Sequence, residues 1–61
     1  MMGVYREGER VWVRGRYAQA YSLRGVIETV VGEGWPLYGV RLENGNYMVC
    51  DANQLRERGN L

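Results

Sequence analysis

Sixty-one residues, 46% apolar and 25% charged, make one small domain with enough hydrophobic surface for a core, which excludes a two-lobed enzyme, a crossover cofactor fold and a repeat array. The net charge of +1 excludes a protein that grips nucleic acid by bulk electrostatics alone. A chain this short buries only ~60% of the surface its unfolded form exposes and keeps ~3–5 kcal/mol of net stability, so self-association into an oligomer is an expected support.

Nine glycines, one proline and no sustained helical period predict an all-β chain of short strands and turns. Residues 10–14 alternate strictly, Val11 and Val13 on one face, Arg10, Trp12 and Arg14 on the other, and form a first strand. Residues 15–23 lack that period and read as a long loop. A second strand covers 24–31; Val26, Ile27, Val30 and Val31 break its alternation, and a bulge near Glu28-Thr29 lets Ile27 and Val30 both face inward. Gly32 to Pro36 is a turn, and 37–42 is a third strand with Tyr38, Val40 and Leu42 on one face and Leu37, Gly39 and Arg41 on the other.

Asn44-Gly45 is the clearest hairpin signal, joining the third strand to a fourth at Tyr47-Met48-Val49-Cys50. Its register is open at this level. A two-residue turn pairs Val40 with Val49, and a three-residue turn with Gly45 left-handed pairs Val40 with Met48, which decides whether Tyr47 is core or surface. Residues 51–58 fit a short helix capped by Asp51 and Gly59, or a 3₁₀ turn at 52–54 followed by a strand at 55–58. The second is preferred, because five short strands can wrap into a barrel without exposed edges. The domain is 8–58, with 1–7 and 59–61 as loosely held ends.

The lone Cys50 cannot close an internal disulfide, which fits a reducing, cytoplasmic setting. No run longer than seven residues lacks a charge, and the start has no basic segment followed by an apolar one, so neither a membrane span nor a signal peptide is expected. Without histidine, neither a metal cluster nor the commonest general base is available, and Cys50 and Ser22 have no activating base. Asp51 and Glu57 are no acid/base pair, since Asp51 suits a turn or cap. Gly32-Glu33-Gly34 is too short and acidic to cradle phosphate. A non-enzymatic chain without cofactor or metal is the expectation.

The run Gly8-Glu9-Arg10-Val11-Trp12-Val13, then Gly25-x-Ile27, Tyr38-x-Val40-x-Leu42, Asn44-Gly45 and Leu55-Arg56 resembles SH3-like barrels of the Tudor, KOW and chromo type over residues 8–58. The resemblance implies a five-stranded SH3-like barrel, a long loop at 15–23, a distal turn at 32–36 and the three-residue hairpin register, with Tyr47 outward. It leaves function open, because this fold serves many binders. Gly8-Glu9-Arg10-Val11, Arg24-Gly25-Val26-Ile27, Tyr38-Gly39-Val40 and Leu55-Arg56-Glu57-Arg58 are also similar to the framework of type II, trimethoprim-resistant dihydrofolate reductases, which are homotetramers. That family's Val-Gln-Ile-Tyr active-site segment is replaced here by Tyr47-Met48-Val49-Cys50, and its pore lysine has no counterpart, so the resemblance carries over a framework and no catalytic residue.

All eight basic residues are arginine, which a GC-rich genome explains as readily as a need for bidentate forks. Arg10, Arg14, Arg16 and Arg24 fall in a stretch without any acid. With Trp12, Tyr17 and Tyr21 they make a basic-aromatic set suited to nucleic acid, arginines on phosphates and rings on bases. The plainer alternative puts Tyr17 or Tyr21 back over the barrel and Trp12 in a subunit contact. Trp35, Tyr38 and Tyr47 form an alternative peptide-binding set, or else plug the barrel's open end. The sequence thus points to a low-specificity nucleic-acid module, with a protein-interaction or self-assembling module as the competing reading and a reductase-like homotetramer as a third.

Overall fold

The computed structural model describes residues 5–58 and is all-β. Its five strands are β1 (Arg10–Val13), β2 (Leu23–Val31), β3 (Leu37–Leu42), β4 (Tyr47–Cys50) and β5 (Leu55–Glu57), with a 3₁₀ turn at Ala52–Gln54. All pairings are antiparallel, in the order β4-β3-β2-β1-β5. The sheet is not closed by strand pairing among the described residues; β4 and β5 are its edges. The chain is compact, with a radius of gyration of 10.5 Å.

Local sequence explains each element. Val11 and Val13 turn inward from β1 and are fully buried, as are Tyr38 and Val40 from β3, and Ile27, Leu42, Cys50 and Leu55 complete the core. Register slips in β2 between Ile27 and Thr29, the bulge that the broken alternation required. Beyond it Val30 packs against the core again. At the β3–β4 hairpin Gly45 sits at φ 94°, its N–H donates to Leu42 O, and Val40 pairs with Met48. The three-residue register therefore holds, and Tyr47 faces out.

Asp51 caps the 3₁₀ turn: its carboxylate accepts the Asn53 N–H at 3.0 Å while Gln54 Oε1 accepts the Asp51 N–H at 3.3 Å. This favours the turn-plus-strand reading of 51–58 over a helix. Burial, and secondarily the neighbouring Asp51, pushes the Cys50 thiol pKa up, so its neutral form is the favoured one.

The expected loose end at 1–7 is corrected in part. Tyr5 packs edge-on against Tyr38, ring centroids 5.4 Å apart, donates its N–H to Tyr38 Oη and its hydroxyl to Leu55 O. An aromatic ring covers core area that a small sheet leaves open, which ties this end down. Residues 1–4 and 59–61, also expected to be loose, lie outside the described residues.

Gly25 lies where the neighbouring strand leaves no room for a side chain. A Cβ there would stand 2.6 Å from Val40 Cγ1 and 3.0 Å from the Arg41 carbonyl oxygen. Gly25→Ala is expected to destabilise the fold by about 1–3 kcal/mol, since the backbone oxygen cannot retreat without shifting the ladder. A urea titration reads this as a lower midpoint at unchanged slope, and an unchanged midpoint would refute the close approach.

Candidate nucleic-acid interface

Cross-strand partners share a face of the sheet, so register alone assembles the outer surface. Trp12 of β1 stands opposite Arg24 of β2 on one side and Arg56 of β5 on the other. Arg10 stands opposite Val26, Val26 opposite Arg41, and Arg41 opposite Tyr47. Two parallel rows result, Arg24–Trp12–Arg56 and Arg10–Val26–Arg41–Tyr47.

The aromatic rings hold guanidinium groups. Arg56 lies 4.4 Å and Arg14 5.6 Å from the Tyr21 ring centroid, Arg41 4.9 Å from that of Tyr47, and Arg58 6.0 Å from that of Trp12. Tyr21 is fastened from behind, its hydroxyl donating to Asn53 O at 2.8 Å and accepting from Arg14 Nε at 3.2 Å. The Arg14 hydrogen bond, joined by the Arg56 cation, draws the Tyr21 phenol below its ordinary pKa. Each of these rings thus carries a guanidinium over its face, an attraction between cation and ring quadrupole.

Two acids lie on this face. Glu28, the bulge residue, holds Arg41 through both carboxylate oxygens, at 3.0 and 3.3 Å, and this raises the Arg41 pKa. Glu43 takes Arg24 at 3.1 Å and Arg58 at 3.8 Å. Arg14 is bound to carbonyl oxygens, and Arg10 and Arg56 face no carboxylate among the described residues. Arg10, Arg14, Arg24, Arg41, Arg56 and Arg58 set six positive charges against the two of Glu28 and Glu43, an excess of four on a chain whose total is +1. The rest of the molecule is correspondingly acidic.

Of the residues singled out in the sequence, Arg10, Trp12, Arg14, Tyr21 and Arg24 come together here, with Trp12 half-buried. Arg16 and Tyr17 stay apart on the 14–22 loop, Tyr17 being 93% exposed. No hydrogen bond, ion pair or ring contact among the described residues joins either side chain to the rows. Arg41, Arg56 and Arg58 were missed. The period of two in β5 puts Arg56 opposite to the inward Leu55, but only the β1–β5 pairing carries it beside Trp12.

The peptide-binding set is also corrected. Tyr38 is fully buried, whereas Tyr47 lies on the outer face against Gly39, so the two occupy opposite sides of the sheet and share no groove. Trp35 is exposed in the 32–36 turn. Among the described residues no group of three or more His, Cys, Asp or Glu forms a metal-ligand cluster, and no helix is long and apolar enough to cross a membrane. Compared with known proteins, the chain matches no family model, no curated protein and no solved structure.

Proposed function

We propose that this chain is a non-enzymatic SH3-like module that binds nucleic acid with low sequence specificity through the two outward rows. The observation that carries the reading is the segregation of charge: an excess of four on one sheet face of a nearly neutral chain, its arginines held in place by rings. Arg10 and Arg56, free of carboxylates among the described residues, take phosphates first. Arg24 and Arg41 exchange a glutamate oxygen for a phosphate oxygen at little net cost, because exposed ion pairs contribute only ~0–1 kcal/mol. A sheet face carries no helix to enter a groove and read base edges, which accounts for low specificity.

Titration of fluorescent single- and double-stranded oligonucleotides at low salt tests this. Binding is expected with a log–log salt slope of about −3 to −5, matching neutralisation of four or five phosphates. No binding of either form at ~100 μM discards the proposal.

A further inference from the structure

The two edges of the sheet are unequal. β5 is three residues long and two of them, Arg56 and Glu57, are charged, which blunts it against further pairing. β4 has no charge, no proline and no bulge, and its Tyr47 and Val49 are 45% and 61% exposed. The ladder phase shows where its backbone points. Leu42 donates its N–H to Asn46 O at 2.7 Å, so Leu42/Asn46, Val40/Met48 and Tyr38/Cys50 are the bonded pairs. At the alternate positions the N–H and C=O groups of Tyr47 and Val49 point away from β3, toward the open side.

Alongside this edge runs an open groove of about 500 Å³. Leu37, Met48 and Val49 are its apolar lining, and Arg14, Arg16 and Asp51 its charged lining. The far wall is firm: Arg14 N–H donates to Gln54 O at 3.0 Å and Gln54 Nε2 to Arg14 O at 3.4 Å. Asp51 is occupied as a cap, and Arg16 has no hydrogen bond or ion pair among the described residues. The charge offered to an occupant is therefore positive.

We propose that the β4 edge takes up an extended peptide from a partner protein, with small apolar residues at alternate positions and a carboxylate that meets Arg16. The peptide backbone bonds to Tyr47 and Val49, its apolar side chains lie on Val49 and Leu37, and the acid gives direction and register. This goes beyond the nucleic-acid reading: it uses the backbone of Tyr47, whose side chain ends one row, and no arginine of either row. A second copy of this chain would offer Tyr47–Cys50 as its strand, which has no carboxylate for Arg16.

The test uses the full chain and fluorescein-labelled peptides of about nine residues, alternating valine and threonine, that end in two aspartates or in two lysines. The aspartate peptide is expected to bind about tenfold or more tighter than the lysine peptide, and its version N-methylated at alternate amides not at all. Arg16→Glu should reverse the charge preference. Val49→Pro, which removes an outward N–H and no ladder bond, should abolish peptide binding and leave oligonucleotide binding unchanged. Independently of that variant's folding, the Tyr47 and Val49 amides of the native chain should exchange freely when alone and slow about tenfold or more with peptide. Any one of these would overturn the proposal: equal affinity for both peptides, no binding at ~1 mM, no slowing of those two amides, or amides already protected in a chain that sediments as a dimer.

Discussion

Tyr38→Ala is expected to leave the chain unfolded at 25 °C. Tyr38 is fully buried, meets Tyr5 at an interplanar angle of 86°, and accepts the Tyr5 N–H at 3.3 Å. Removing a buried aromatic ring costs about 3–5 kcal/mol, equal to the whole net stability that a core of this size supplies. Loss of the ring also removes the edge-on contact that holds Tyr5. Tyr38→Phe keeps the ring and gives up the hydroxyl acceptor, so it should cost about 1 kcal/mol and lower Tm by roughly 4–8 °C. Circular dichroism melts of both variants separate the ring from the hydroxyl. A cooperative melt of the alanine variant near that of the parent would show that Tyr38 is not central to the core.

The second large effect concerns the charged face. Arg10→Glu with Arg56→Glu changes the charge by four and cancels the excess of four on the outer face. Oligonucleotide affinity at low salt is expected to fall about a hundredfold or more, through both lost phosphate contacts and repulsion. Both side chains belong to exposed residues, so the melting curve should barely change. Arg6→Glu with Arg16→Glu alters the net charge equally but lies off the rows, and should lower affinity several times less. Equal losses in the two double variants would mean that overall charge drives binding, and the two rows would lose their assigned role.

The legible part of this fold is the part that depends on neighbours along the chain. Alternation in Arg10–Val13 and Leu37–Leu42 grouped Val11 with Val13, and Tyr38 with Val40 and Leu42, on one face of their strands, and all five are buried. The failure of alternation in 24–31 located the bulge, because two inward residues three apart on a strand require an extra residue between them. The site was legible by half. Arg10, Trp12 and Arg24 could be named because they lie on or beside one short stretch. Arg41, Arg56 and Arg58 reach the same face from distant strands, through pairings that no local pattern encodes.

Charge pairing escaped the sequence for a related reason. Glu28 and Glu43 sit 13 and 19 positions from Arg41 and Arg24, and only sheet register decides which cation each one neutralises. Tyr5 returns to Tyr38 across 33 positions. Composition and short-range pattern by themselves determined an all-β chain, its turns, its inward residues and a locally basic beginning, since these follow from side-chain period and backbone preference. Tertiary structure alone decided the hairpin register, the neighbours of Trp12, the uncompensated arginines and the open β4 edge, because each depends on strands that meet only after distant parts of the chain have closed on one another.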